Sequence, residues 1–297
     1  MRRLIFFLLA GLLLVGATPG AQAADIQIVA KNLHFLEGAI FVGDTLYFVD
    51  YTTSDVFRLS ANTVERVWHE DGCGANGLLQ WNSSLLVACF DDGTIVNISL
   101  KGKHLKTFQK DAANHHFVCP NDLAADAKGG VYFTASGLDG TVPGKVFHIA
   151  ADGIIKEIAS GINYSNGLVV SSDGKLLYIA ESRLHRLLVY TIASDGTLGP
   201  QREFSKLDAL LADGRHKAFT PGSVRIDSHG NLFIALFDGG GLAVISPDGK
   251  LLKRVDLPDQ HHTSLAISPD GRSIYITALD ANQDQGLIYR LPNPMLP

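Results

Sequence analysis

The sequence lacks the short motifs that mark several common classes of enzyme. It contains no Gly-x-Ser-x-Gly nucleophile elbow, no phosphate-binding glycine loop and no dinucleotide-binding fingerprint. Three successive glycines at residues 239–241 come nearest to a glycine-rich loop, and a turn between strands explains them better. Serine hydrolase, nucleotide hydrolase and dinucleotide-dependent chemistries therefore have no motif to support them.

Long hydrophobic runs are also missing after the N-terminus. Arg2 and Arg3 precede an apolar run over residues 4–15, and Ala21-Gln22-Ala23 then supplies a small-residue exit, which is the pattern of a secretory signal peptide. A run of about a dozen apolar residues is too short to span a bilayer. We expect residues 1–23 to be a signal peptide, residues 24–297 to form one domain, and the protein to be periplasmic or secreted.

An excess of basic residues is absent as well. The 25 Lys and Arg residues are outnumbered by 30 Asp and Glu residues, and the formal net charge is −5. Nucleic acids and anionic lipid surfaces attract proteins through basic patches. We therefore expect neither nucleic acid nor, after signal cleavage, a membrane as a partner.

Cysteine is scarce, with three residues in the chain. An odd number in an exported protein leaves at least one thiol unpaired within a monomer. Cys73 and Cys119 lie shortly before equivalent strands, and Cys89 ends a strand that returns to the same face. A Cys73–Cys89 bridge, a Cys73–Cys119 bridge and three free thiols all remain open.

What the sequence does contain is a segment that recurs six times. Each copy is a strand, a turn rich in Gly, Asp, Asn or Ser, and a second strand, and successive copies start 39 to 56 residues apart. Repeats of roughly 40 to 50 residues built this way are typical of propeller blades. The sequence therefore predicts an all-β, six-bladed β-propeller, closed by pairing a strand near residue 26 with one near residue 287.

The first residues of the six copies are expected to converge at one face of the central channel. They are Glu37, Asn76, Asn121, Asn166, Gly222 and Thr263. A carboxylate and several amides, without Lys or Arg, form an oxygen-donor set that suits calcium or another hard divalent cation. Zinc is less favoured because no pair of His or Cys has ligand spacing.

Two further groups of polar residues recur near the same face. Acidic residues end or follow second strands at Asp50, Asp91, Glu181, Asp238 and Asp280, and histidines precede inner strands at His34, His115, His116, His216, His261 and His262. Turn capping explains such carboxylates equally well, and a loop histidine is commonly solvated. An imidazole beside a bound cation can also act as a general base. A short helix or loop over the mouth is predicted between residues 204 and 220, with a plain surface excursion as the alternative.

Several segments in order resemble the SMP-30/gluconolactonase family, a group of six-bladed propellers that includes calcium-dependent lactonases and phosphotriesterases among its relatives. They are Leu36-Glu37-Gly38, Pro120-Asn121-Asp122-Leu123, Ser165-Asn166-Gly167-Leu168, Gly230-Asn231-Leu232-Phe233 and Thr263-Ser264-Leu265-Ala266, each with its following strand. The resemblance covers essentially the whole chain after residue 23.

The resemblance implies that Glu37, Asn121 and Asn166 are ligands of a divalent metal. The family's remaining ligand and leading proton-transfer group is an Asp in a Pro-Asp-Gly segment of blade 5, which reads Pro221-Gly222-Ser223 here. Ser223 is the expected substitute oxygen. With the Asp missing, we expect the base to be His262 first, then His116 or Asp122.

The resemblance implies a calcium-dependent, or other divalent-cation-dependent, hydrolase of a lactone or related ester. The alternative is a non-catalytic propeller that binds a small molecule or partner at the channel mouth. A condensing activity like that of strictosidine synthase is a distant third, because it needs an acidic residue that the sequence does not place. The substrate and the oligomeric state remain open.

Overall fold

The computed structural model describes residues 26–61, 63–212, 219–259 and 261–296. Within these ranges, 24 strands form six antiparallel sheets of four strands each. The predicted all-β, six-bladed propeller is confirmed. The predicted signal peptide, residues 1–23, lies outside the described residues. Across the described part of the chain, helices are too short or too polar to cross a membrane.

Each blade runs outward from the channel in chain order. Blade 1 comprises β2 (Leu36–Val42), β3 (Thr45–Asp50), β4 (Asp55–Ser60) and β5 (Thr63–His69); blade 2 comprises β6 (Ala75–Trp81), β7 (Ser84–Cys89), β8 (Thr94–Ser99) and β9 (His104–Phe108); blade 3 comprises β10 (Pro120–Ala125), β11 (Val131–Ala135), β12 (Gly144–Ile149) and β13 (Ile155–Ile162). Blade 4 comprises β14 (Ser165–Val170), β15 (Leu176–Glu181), β16 (Arg186–Thr191) and β17 (Arg202–Lys206); blade 5 comprises β18 (Thr220–Ile226), β19 (Leu232–Phe237), β20 (Gly241–Ile245) and β21 (Leu251–Asp256).

Blade 6 closes the ring with strands from both ends of the described chain. It comprises β22 (His261–Ile267), β23 (Ser273–Leu279), β24 (Gly286–Pro292) and, outermost, β1 (Gln27–Leu33). β1 pairs antiparallel with β24, with Gln27 opposite Arg290. The predicted closure is confirmed. It removes the exposed sheet edges that a broken ring would leave.

The hydrophobic core lies between neighbouring blades because both faces of each sheet are covered. Between blades 1 and 2, for example, Val49, Leu78 and Val87 are fully buried in one apolar cluster. Second strands are buried along nearly their whole length, as in β7 and β11. Apolar residues in continuous runs, rather than strict alternation, are what such two-sided burial requires.

The segment between blades 4 and 5 contains a short helix, α1 (Leu207–Leu210). Leu207 and Leu211 are buried in the cluster that joins these two blades. The expected helix is therefore present over four residues, followed by a stretch, residues 213–218, that lies outside the described part. His216 belongs to that stretch. A 3-10 turn at Ser182–Leu184 follows β15.

Cys73 and Cys89 form a disulfide, and Cys119 is free. Cys73 precedes β6 and Cys89 ends the strand that pairs with it, where Ala75 lies opposite Cys89. The bridge therefore joins the loop entering blade 2 to the end of its own hairpin. Of the alternatives that the sequence left open, the Cys73–Cys89 pairing is correct.

Candidate functional site

The first residues of all six copies line one cavity of about 330 Å³ at the end of the channel. They are Glu37, Asn76, Asn121, Asn166, Gly222 and Thr263. The predicted convergence is confirmed. We call these six residues the channel floor. The cavity opens from the floor toward loops that carry mainly aromatic side chains.

A β-bulge in each innermost strand lies at or next to the floor residue. The register of β2 against β3 shifts between Glu37 and Ile40, and the equivalent shift in β10 lies between Pro120 and Leu123. The other four innermost strands have shifts at matching positions. A bulge disrupts regular pairing and can redirect a side chain. The repeated bulge therefore explains why each of the six innermost strands directs its floor residue into the same cavity.

Backbone crowding next to the floor requires glycine in several blades. A Cβ atom at Gly77 would lie 2.2 Å from the Asn121 carbonyl oxygen, and one at Gly167 would lie 2.5 Å from the Gly222 carbonyl oxygen. Adjacent blades approach this closely only where no side chain intervenes. In blade 3 the residue equivalent to Gly77 is Asp122, and in blade 5 it is Ser223.

Glu37 supplies the carboxylate of the floor. It is half-buried and lines the cavity. Burial raises the pKa of Glu37 to about 8, and the nearby negative charge of Asp122 adds to the rise. The backbone of Gly38 and the charge of Arg225 act in the opposite direction. An ionised carboxylate in this place is costly unless a positive charge is close to it.

Hydroxyl groups hold the Asn166 side chain and connect the blades around it. Asn166 Nδ2 donates to Ser182 Oγ at 3.1 Å, which leaves the Asn166 amide oxygen as the atom able to serve a cation. Ser182 Oγ in turn donates to the Pro221 carbonyl of blade 5 at 2.7 Å. Thr134 Oγ1 donates to the Asn166 carbonyl at 2.8 Å. Contacts of this kind between neighbouring blades fix the floor geometry.

The donor set of the floor fits a hard divalent cation. Glu37 offers a carboxylate, and Asn121 and Asn166 offer amide oxygens in the same cavity. Such ions take oxygen ligands from carboxylates, amides and water. Burial of Glu37 without a cation has the electrostatic cost described above, which a divalent ion would offset.

Asp122 is buried beside the floor and forms an ion pair across the channel. Arg225 Nη1, from blade 5, donates to Asp122 Oδ2 at 2.9 Å, and the two side chains are 16% and 6% exposed. Arg225 Nη1 also donates to the Val224 carbonyl at 2.9 Å. The Asp122 carboxylate therefore pairs with the Arg225 guanidinium and does not line the cavity. No pattern in the sequence indicates a role for Arg225.

The other predicted site residues lie away from the cavity lining. Ser223 is buried, and within the described part of the chain its Oγ has no hydrogen-bond partner. His262 is fully buried, packs near the Tyr289 ring at 6.2 Å, and burial lowers its pKa to about 4. His116 is exposed, opposite Lys110 in an isolated bridge. These three residues are not among those that line the cavity with Glu37, and their roles stay predictions.

Four of the five acidic residues at strand ends accept hydrogen bonds from groups in nearby loops, and the fifth, Asp238, lines the cavity. Asp50 accepts the His34 backbone N–H, Glu181 accepts that of Asn163, and Asp280 accepts that of Asp284. Asp91 accepts the Tyr51 hydroxyl at 2.7 Å. Asp238 lines the cavity, has φ of 60°, and its Oδ1 lies 2.6 Å from His261 Nδ1.

The sequence patterns did not identify the aromatic residues around the mouth as part of the site. Five of them line the cavity: Phe35, Tyr51, Phe90, Tyr164 and Phe237. A signal was available, because an aromatic residue stands at or just beyond the end of the second strand in copies 1, 2 and 5. Because aromatic residues in strands usually pack in the core, their recurrence at strand ends does not by itself indicate a cavity.

Comparison with known proteins identifies relatives of the whole domain. The chain is 26% identical over 278 residues to "Lactonase drp35" of Staphylococcus aureus, covering 88% of this chain and 83% of that protein. It is 26% identical over 262 residues to "Pentonolactonase XacC" of Haloferax volcanii, covering 87% and 86%.

Solved structures share the fold at lower identity. The gluconolactonase XC5397 from Xanthomonas campestris superposes with a TM-score of 0.75 at 19% identity, over 90% of this chain and 89% of that one. The calcium-binding protein regucalcin from Agrobacterium tumefaciens gives 0.71 at 18% identity, over 90% and 93%. A family model, the SMP-30/Gluconolactonase/LRE-like region, matches residues 35–280. Because that match spans most of the chain, the protein belongs to the SMP-30/gluconolactonase family.

Proposed function

We propose that the protein is a hydrolase of a lactone or related ester that uses a divalent cation, calcium in the first instance. The observation that carries the proposal is the meeting of Glu37, Asn121 and Asn166 in one cavity. Relatives of this chain at 26% identity are named lactonases, and a structural neighbour is described as calcium-binding. A fold does not determine a reaction, whereas these side chains supply the ligand chemistry that the reaction needs.

Glu37, Asn121 and Asn166 would hold the cation in the channel floor. Three protein ligands are fewer than calcium takes, so positions remain for water and for the substrate carbonyl. When bound, the ion supplies Lewis-acid polarisation of that carbonyl. The neutral Asn76 side chain lies on the same floor and would orient the lactone ring by hydrogen bonding.

We propose Asp238 as the proton acceptor in place of the family's blade 5 Asp. Both residues belong to blade 5, since Phe237 pairs with Thr220 at the start of the strand that carries Gly222. Asp238 lines the cavity, whereas His262, His116 and Asp122 are not among its lining residues. Its contact with His261 and its left-handed backbone hold the carboxylate in place.

Activity on a panel of simple lactones, before and after chelation, tests the function. We expect hydrolysis that chelation abolishes and calcium restores. Tight calcium binding without turnover of any lactone would instead support the non-catalytic binder. Turnover that survives exhaustive chelation would contradict the role of the cation.

Asp238→Asn tests the proton acceptor separately. We expect kcat to fall on the order of 100-fold to 10,000-fold, with calcium affinity retained, because general bases contribute this much. The exposed Asp284→Asn is the matched control and should behave as the wild type. A wild-type kcat in Asp238→Asn would remove Asp238 from the mechanism.

Export from the cytoplasm is part of the proposal. The Cys73–Cys89 disulfide supports it, since such bonds persist mainly in oxidising compartments. Cell fractionation followed by intact-mass measurement should find a periplasmic or secreted chain that lacks residues 1–23. A cytoplasmic protein with its N-terminus intact would contradict this.

A further inference from the structure

The cavity has two chemically different zones. Its floor is polar, but four aromatic side chains from three blades form a continuous wall above it. Phe237 stacks on Phe35 with ring centroids 6.3 Å apart, Phe35 meets Tyr51 edge-on at 5.8 Å, and Tyr51 meets Phe90 at 6.1 Å. We call these four residues the aromatic wall.

The wall presents ring surface rather than hydrogen-bonding groups. Phe35, Phe90 and Phe237 have no polar atom beyond the backbone, and all three are only partly buried. Tyr51 donates its hydroxyl to Asp91 at 2.7 Å, so that group is already engaged. Contiguous apolar surface left open in a cavity is typical of a binding site.

Of the described residues that line the cavity, only Arg183 carries a positive charge, and it is already paired with an acidic residue. Arg183 lines the cavity over the Tyr164 ring, 5.4 Å from its centroid, and its guanidinium is paired with Asp139. A substrate with an added carboxylate would have to displace Asp139. Arg183, paired in this way, therefore does not favour an anionic substituent.

A polyhydroxylated lactone fits this wall poorly. Hydroxyl groups placed against phenylalanine rings lose hydrogen bonds to water and receive none in return. An apolar ring there buries surface worth about 25 cal/mol per Å² and can stack on the aromatic side chains. Building on the proposed lactone hydrolysis, we infer that the substrate carries an apolar, ring-sized substituent that contacts the aromatic wall while its lactone carbonyl faces the floor.

Two lactones with the same five-membered ring test the inference. We expect kcat/KM for γ-phenyl-γ-butyrolactone to exceed that for D-ribono-1,4-lactone by about tenfold, since stacking and burial of one aromatic ring together supply the roughly 1.4 kcal/mol that a tenfold ratio requires. Phe90→Asn should lower the phenyl-to-ribono ratio of kcat/KM about tenfold, and Phe90→Leu should largely preserve it.

Phe41→Asn is the matched control because Phe41 packs on Tyr275 and lines a separate cavity, away from the aromatic wall. It should leave the ratio of the two kcat/KM values unchanged. Preference for D-ribono-1,4-lactone, or a ratio that Phe90→Asn does not move, would overturn the inference while leaving the proposed lactonase intact.

Failure of both lactones to react would count against the proposed function and not against the wall. Binding of the unreactive lactam 5-phenyl-2-pyrrolidinone, measured by calorimetry, then decides the inference. Binding that Phe90→Asn weakens and Phe41→Asn does not would support it. Absence of binding, or binding that Phe90→Asn leaves unaltered, would overturn it.

Discussion

Blades 1 to 4 and blades 5 and 6 contribute differently to the channel floor, although their innermost strands have the same bulge. The first four blades place a carboxylate and three amides there, at Glu37, Asn76, Asn121 and Asn166. The other two place Gly222 and Thr263, and the Thr263 hydroxyl is already donated to the Leu36 carbonyl at 2.5 Å. Equivalent backbone geometry therefore does not guarantee equivalent chemistry.

Backbone crowding explains why the floor residue of blade 5, Gly222, has no side chain. A Cβ atom at Gly222 would lie 2.7 Å from the Thr263 carbonyl oxygen, closer than such contacts allow. The carboxylate of blade 5 enters the cavity one strand later, at Asp238. The comparison indicates that blade 5 approaches blade 6 too closely for a side chain at the floor and supplies its charge from the mouth.

Arg225→Met should have the largest effect on stability, because Arg225 of blade 5 neutralises Asp122 of blade 3 across the channel. Removal of one partner from a buried pair leaves an uncompensated charge, and we expect a loss of about 3–5 kcal/mol in the free energy of unfolding. Chemical denaturation measures it. The double variant Asp122→Asn/Arg225→Met should recover much of the loss, and additive effects of the two substitutions would show that the pair is not coupled.

Glu37→Gln should lower calcium affinity on the order of 100-fold, since it removes the carboxylate among the proposed ligands and affinity for hard cations follows ligand charge. Calorimetric titration is the measurement. The exposed Glu65, which pairs with Arg58 at the rim of blade 1, gives the control Glu65→Gln. Equal affinity in Glu37→Gln and Glu65→Gln would place the cation elsewhere.

Gly222→Ala and Gly222→Asp test whether crowding excludes a ligand from blade 5. Both should lose about 1–3 kcal/mol in the free energy of unfolding without calcium, because the added Cβ forces the blades apart. With excess calcium, Gly222→Asp should recover part of its melting temperature relative to Gly222→Ala. The same melting temperature for both variants in both conditions would mean that position 222 does not face the cation.

His262 tests whether blade 6 contributes packing rather than chemistry. Its pKa is lowered to about 4 in the folded protein, so the unfolded chain binds more protons between that value and about 6.5. Stability should therefore fall as the pH falls through this window, and His262 should account for about 2 kcal/mol between pH 7 and pH 5. His262→Leu should remove that share of the pH dependence, and an unchanged dependence would show that the imidazole is not buried as a neutral group.

The sequence predicts the repeat, the closure of blade 6 and the convergence of the floor, because each depends on periodic local patterns. Glu37, Asn121 and Asn166 could be placed from their position in the repeat and from the family resemblance. Arg225 could not, since its pairing with Asp122 joins residues 103 positions apart in the chain. The sequence identifies Asp238 as one of several acidic residues at strand ends. Only the fold shows that Asp50 and Glu181 hydrogen-bond to loop backbone whereas Asp238 lines the cavity.

The location of the cation is the central claim, and anomalous diffraction tests it most directly. Crystals of residues 24–297 grown with Mn²⁺ as a calcium substitute should give a peak between Glu37, Asn121 and Asn166. The cluster of Asp111, His115 and Glu157, whose potential ligand atoms lie within 4.8 Å of one another, is the competing position. A peak there with none at the channel floor would contradict the account.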